Sequence, residues 1–152
     1  MNAAVPPDAR LQLIVGYDGS PPAVRALDAA IRLLSGRNGQ ILVLYIGHLS
    51  AADSMSPDAL AEMEQSFSEI GADLKAQATG QLRGREDRWS FEWRQGDIAR
   101  ELTEEAERLG HADPDETVAI VVGSSSHAMH RVIGSVAVSL SRHSPVPLVI
   151  VP

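Results

Sequence analysis

The sequence contains no cysteine, which excludes disulfides, thiol nucleophiles and cysteine-ligated metals. Lysine is nearly absent too, with Lys75 the only one in 152 residues. Basic residues number 13 against 20 acidic ones, a formal net charge of −7. Nucleic acid is therefore not expected as a partner, because gripping a phosphate backbone needs a basic footprint. A small phosphorylated ligand stays open, since a few backbone N–H groups hold one locally. No apolar run approaches the roughly 20 residues of a membrane span. Met1 to Arg10 has neither the basic start nor the apolar stretch of a secretory signal. These absences predict a cytoplasmic protein that does not engage membranes.

Several catalytic signatures are missing as well. There is no G-x-x-x-x-G-K-[ST] segment to supply a phosphate-binding lysine. There is no G-x-S-x-G elbow, and Ser135 has no base and orienting acid to activate it. A phospho-accepting aspartate of the receiver type would need acids clustered at Asp18 and a lysine at a later strand end. Lys75 instead sits within a long amphipathic helical pattern. No catalytic residue is singled out, and activity beyond slow ATP hydrolysis is not expected.

What remains is an ordinary globular composition, 44% hydrophobic and 22% charged, in a length suited to one core. Residues 1–10, with Pro6-Pro7, read as a loose tail, and residues 11–152 as one α/β domain. Leu11 to Gly16 is an apolar run that ends at the turn Asp18-Gly19-Ser20. Ser20 caps a helix opening on Pro21 and Pro22, where proline is tolerated, and Val24, Leu27, Ile31 and Leu34 share one face. Gly36 and Gly39 close it before a second strand, Ile41 to Ile46. Ser56 and Pro57 open a long helix with the stripe Leu60, Met63, Phe67, Ile70 and Leu74, assigned to core or dimer packing.

Trp89, Phe91 and Trp93 alternate with Ser90, Glu92 and Arg94, the pattern of an edge strand. A helix from Gly96-Asp97 places Ile98, Leu102, Ala106 and Leu109 on one side. Opposite lie Glu101, Glu104, Glu105 and Glu107, read as a solvated acidic face. Thr117 to Val122 is a central strand, Val136 to about Arg142 a short helix, and Leu148 to Val151 the last strand.

Strands alternating with helices demand right-handed crossovers and a parallel sheet covered on both faces. The fold expected is a doubly wound, Rossmann-like sheet of five parallel strands in the order 3-2-1-4-5. Its winding then reverses between the first and fourth strands, where ligands of such sheets bind. The loops meeting there begin at Gly16-Tyr17-Asp18 and at Gly123-Ser124-Ser125.

With IVGYDGS at one end and VVGSSSHAMHRVIGSVAVSLSRHSPVPLVIVP at the other, the sequence resembles the universal stress protein family from Leu11 to Pro152. The resemblance implies a stress-response or signalling module that binds ATP or another adenine nucleotide, with magnesium. Nucleotide-binding members carry G-x2-G-x9-G-[ST]. Gly123 matches the first glycine and Gly134-Ser135 the closing pair, but Ser126 stands at the second glycine. Only seven residues then separate Ser126 from Gly134. By resemblance, Asp18 faces a ribose or a metal, and the backbone at Gly16, Tyr17 and Ile46 flanks the base. Val122, Gly123, Ser124, Ser125, Ser126, Gly134, Ser135 and Val136 surround the phosphates and ribose.

Each feature also has a plainer role. Asp18 suits a turn, Gly134-Ser135 a helix start, and the serines a polar loop. His127, His130 and Arg131 lack a carboxylate cluster, so no metal site is assigned. The alternative function is the same fold without a cofactor, serving as a protein–protein interaction module. A third is a small enzyme acting on an adenylated or phosphorylated substrate. The last strand, Leu148-Val149-Ile150-Val151, is uniformly apolar at an expected edge, which predicts a homodimer paired through it. Many members of the resembling family dimerise in this way.

Overall fold

The computed structural model describes residues 9–48, 54–124 and 134–152. Strands β1 (Arg10–Gly16), β2 (Gly39–Gly47), β3 (Trp89–Gln95), β4 (Glu116–Gly123) and β5 (Leu148–Val151) form one sheet ordered β3-β2-β1-β4-β5. Every pairing is parallel. Between the strands run α1 (Pro21–Leu34), α2 (Pro57–Gln81), α3 (Ile98–Ala112) and α4 (Ser135–His143). The predicted strand order and both-face covering are those observed. β1 starts at Arg10, one residue inside the expected tail, of which 1–8 lie outside the described residues.

Strand periodicity sorts the core into two layers. Leu13 and Val15 of β1 join Ile41, Val43, Ala119 and Val121 beneath α1 and α2. Ile14 joins Leu42, Leu44, Ile120 and Val122 beneath α3 and α4. Apolar residues on both faces account for the unbroken apolar runs of β1, β2 and β4. On α1 the buried face is Ala23, Ala26, Leu27, Ala30 and Leu34, with Val24 and Ile31 only half-buried. Its three alanines let the helix lie close against the strands.

On α2 the stripe corrects the sequence reading at one position. Ile70 is 46% exposed, and Gly71, Leu74 and Ala78 face the sheet instead. The ring of Trp93 lies over Gly71, where an added Cβ would come within 2.8 Å of it. A glycine carries no apolar signal, so pattern reading passes over it to the isoleucine beside it.

The acidic face of α3 needs a second correction. Glu104 and Glu107 are exposed, but Glu105 is 1% exposed and buried against the edge strand. Arg94 of β3 donates to its Oε2 at 2.8 Å, and Arg108 donates to it from one turn along α3. Alternation on β3 turns Glu92 and Arg94 to the face that α3 covers, so the arginine meets a helix acid there. Burial alone raises the Glu105 carboxyl, but hydrogen bonds and charges from Arg108 and Arg94 outweigh it and hold the group below its ordinary range.

A carboxyl lowered in the folded state contributes stability above its unfolded value, and that contribution disappears as pH falls through the folded one. Glu105→Gln should therefore flatten the loss of stability between about pH 5 and pH 3 in urea titrations. At neutral pH, Glu105→Ala should cost about 2 kcal/mol, less than the roughly 3–5 kcal/mol of a fully buried broken pair, because both arginines keep contact with water. An unchanged urea midpoint would contradict this.

Candidate functional site

From β1 the chain passes through α1 to β2 on one side, and from β4 through α4 to β5 on the other. The loops leaving β1 and β4 therefore diverge, and a cleft of about 210 Å³ opens between them. Gly16, Tyr17 and Asp18 line it from β1, and Val122 and Gly123 from β4. Ile46 lines it from β2, and Gly134, Ser135 and Val136 from the start of α4. These predicted positions, scattered along the sequence, meet in one place. Ser124 is absent from the lining, and its N–H is committed to Val151 O at 2.7 Å, extending the β4–β5 ladder. Ser125, Ser126, His127, His130 and Arg131 lie outside the described residues.

Sequence reasoning missed part of the wall. Leu44, Ile98, Leu102 and Ala137 supply apolar surface, and Tyr45 closes one side. Ile98 and Leu102 carried only a core signal, since nothing in α3 alone shows that its first turn reaches this cleft. Ser20, read as a cap, does cap α1, and it also lines the cleft beside Pro22 and Ala23.

The two polar ends of the cleft differ. At the β1 end, Asp18 Oδ1 accepts from the Ser20 N–H at 3.0 Å, and Ser20 Oγ accepts from the Ala23 N–H at 3.4 Å. The expected turn role of Asp18 is thus observed, on an exposed residue that also lines the cleft. The Tyr17 N–H is bonded to Leu44 O, and its hydroxyl donates to Gln81 Oε1 at 2.8 Å. Burial first, then the charges of Asp18 and Asp28, raise the Tyr17 phenol. Burial and Asp18 raise that of Tyr45, so both phenols stay protonated at neutral pH. The ring of Tyr45 stacks on Phe67 of α2 with centroids 5.4 Å apart.

At the other end, Gly134 caps α4 with no side-chain bond. The first N–H groups of a helix have no acceptor within it, so this end presents Ser135, Val136 and Ala137 as donors. Among the described lining residues, Asp18 is the only charged side chain.

Gly123 has a structural duty of its own. A Cβ there would lie 2.3 Å from the backbone oxygen of Pro22, so the end of β4 passes directly against the first turn of α1. Only glycine allows that approach.

The profile of the universal stress protein family matches residues 11–152. The chain belongs to that family. It is 27% identical over 144 residues to universal stress protein YxiE of Bacillus subtilis, covering 92% of this chain and 97% of the relative. Among solved structures, the universal stress protein UspA from Lactobacillus plantarum superposes with a TM-score of 0.76 at 20% identity, covering 93% of this chain and 97% of that one. A universal stress protein in complex with cAMP superposes at 0.63, with 22% identity and coverage of 93% and 97%. A family protein from Arabidopsis thaliana with AMP bound superposes at 0.60, with 16% identity and coverage of 93% and 90%. The two complexes share the fold of this family member.

Because Gly123 packs on backbone, Gly123→Ala should destabilise the protein by about 1–3 kcal/mol with no ligand present. Thermal melting of the nucleotide-free protein checks this. A full-strength fold would assign the glycine to ligand approach alone.

Proposed function

We propose that this universal stress protein is an adenine-nucleotide-binding module that works as a homodimer in stress response or signalling. The observation carrying this reading is the pairing of a helix N-terminus whose cap, Gly134, makes no side-chain bond with an acceptor-only carboxylate, Asp18, across a cleft that is apolar among the described residues. A nucleotide has complementary parts. Its base suits the apolar wall of Leu44, Ile46, Ile98, Leu102 and Val122, its ribose hydroxyls suit Asp18, and its phosphate suits the α4 amides. Relatives of the same fold in complex with cAMP and with AMP support the same class of ligand. ATP belongs to it, and magnesium would meet one carboxylate, Asp18, among the described lining residues.

Calorimetry with AMP, ATP and cAMP, with and without magnesium, tests the reading. Mass spectrometry of the supernatant after denaturation reads any nucleotide retained through purification. Asp18→Ala should weaken binding about tenfold while leaving the melting temperature of the free protein within a few degrees. No heat and no melting shift at millimolar nucleotide would overturn the proposal and leave the interaction-module alternative standing.

The outer edge of β5 supports the dimer reading. Pro147 O and Val151 O accept from Ile120 and Ser124, so the odd-numbered residues face β4. Leu148 and Ile150 then direct their N–H and C=O groups outward along an apolar edge. Sedimentation at micromolar concentration should show a dimer. Ile150→Pro, which removes one outward N–H and spares the ladder to β4, should shift it to monomer. A monomeric wild type would remove this part of the proposal.

A further inference from the structure

We infer that a second cavity, at the other end of the sheet, docks a glutamate-rich segment of a partner protein. Arg85 and Arg88 take its carboxylates. The cavity lies at the amino ends of β2 and β3, roughly 25 Å along β2 from the nucleotide cleft. Its role is independent of any nucleotide bound there.

This cavity has a volume of about 320 Å³ and opens between the last turn of α1 and the turn from α2 to β3. Ile31 and Leu34 of α1 give it an apolar wall, and Arg85 and Arg88 of the turn a cationic one. A glutamate side chain suits both, with a methylene stem and a carboxylate that a guanidinium fork receives. Arg32, Arg37 and Arg83 are exposed, each next in sequence to a lining residue. Residues 31–37 and 83–88 thus carry five arginines against two acids, Glu86 and Asp87, in a chain of net charge −7. The C-termini of α1 and α2 add about one negative charge between them, so about two positive charges are left over.

Among the described residues, none of these five arginines forms an ion pair. Glu86 accepts from the Gly84 N–H at 2.8 Å instead. Two of the guanidiniums are already fixed on main chain. Arg37 donates to Leu33 O at 2.8 Å, and Arg88 donates to Arg37 O and, at 3.2 Å, to Gly39 O. Charges held in place cost a partner less ordering on binding. The half-buried Arg85 guanidinium has no hydrogen-bond partner among the described residues, which leaves its whole fork to a carboxylate. Acids limit what the surface accepts. Asp113, Asp115 and Glu116 stand at the same end of the sheet, where Glu116 opposes Arg10 across the β1–β4 ladder. A nucleic acid or an anionic bilayer would extend over these acids and be repelled. A short acidic segment seated at the cavity avoids them.

The test titrates labelled hexaglutamate against the full chain at low salt, read by fluorescence anisotropy. The peptide should bind, and added salt should weaken it. Arg85→Glu should weaken binding about tenfold or more, and Arg83→Glu about threefold, with melting temperatures within a few degrees of wild type. Arg142→Glu makes the same charge change on an exposed residue of α4 and should leave the affinity within about twofold. If Arg85→Glu fails to fold, Arg83→Glu on an exposed residue reads the same effect. No binding of hexaglutamate at low salt, or equal weakening by Arg142→Glu, would overturn the site. Tighter binding of oligothymidylate or of phosphatidylglycerol vesicles, lost in Arg85→Glu, would overturn the acidic-peptide assignment. So would an oligomer in sedimentation that Arg85→Glu dissolves and Arg142→Glu does not, which would give the surface to a second copy of the chain. Nucleotide affinity, read separately by calorimetry, is unaffected by any of these outcomes.

Discussion

Parallel strands cannot be joined by hairpins, and this constraint organises the whole molecule. Each strand must be followed by a helix that carries the chain back across one face of the sheet. Because crossovers are right-handed, moving from β1 towards β2 places α1 and α2 on one face, and moving from β4 towards β5 places α4 on the other. The two departures leave a gap above the β1–β4 pair that no connection can fill. The cleft is a consequence of connectivity before any side chain is chosen.

The close passage of β4 against α1 gives that gap its shape. Gly123 meets the backbone of Pro22 with no room for a Cβ, so the end of β4 and the start of α1 are held together beside the cleft. Around it the two helix starts are treated differently. One is closed by two prolines and a serine cap, and the other begins on a bare glycine. A helix start is a partial positive charge only where its amides are free. Two helices that open onto the same cleft therefore offer it opposite chemistry.

Much of this was legible in the sequence because it rests on short-range rules. Unbroken apolar runs identified β1, β2 and β4 as central strands, and alternation identified β3 as an edge. Ser20 with its prolines and Ser56 with Pro57 mark helix starts, and both hydroxyls accept the expected N–H bond. Glu105 and Ile70 were misread for the opposite reason. Glu105 looks like its solvated neighbours along α3, and only the arrival of Arg94 from β3 buries it. Ile70 fits an apolar stripe by spacing alone, but Trp93 needs the bare surface of Gly71, which rotates the isoleucine outward.

The sequence by itself determined the element types, the parallel sheet, the strand order and the cleft where Asp18 and Gly123 meet. Hydrophobic periodicity and crossover handedness are local or topological, so they survive without coordinates. Tertiary structure alone decided which atoms line the cleft and which are already engaged. Ile98 and Leu102 come from a distant helix, and the Ser124 amide is claimed by β5. Whether a donor is free depends on what has packed against it, and no spacing along a chain records that.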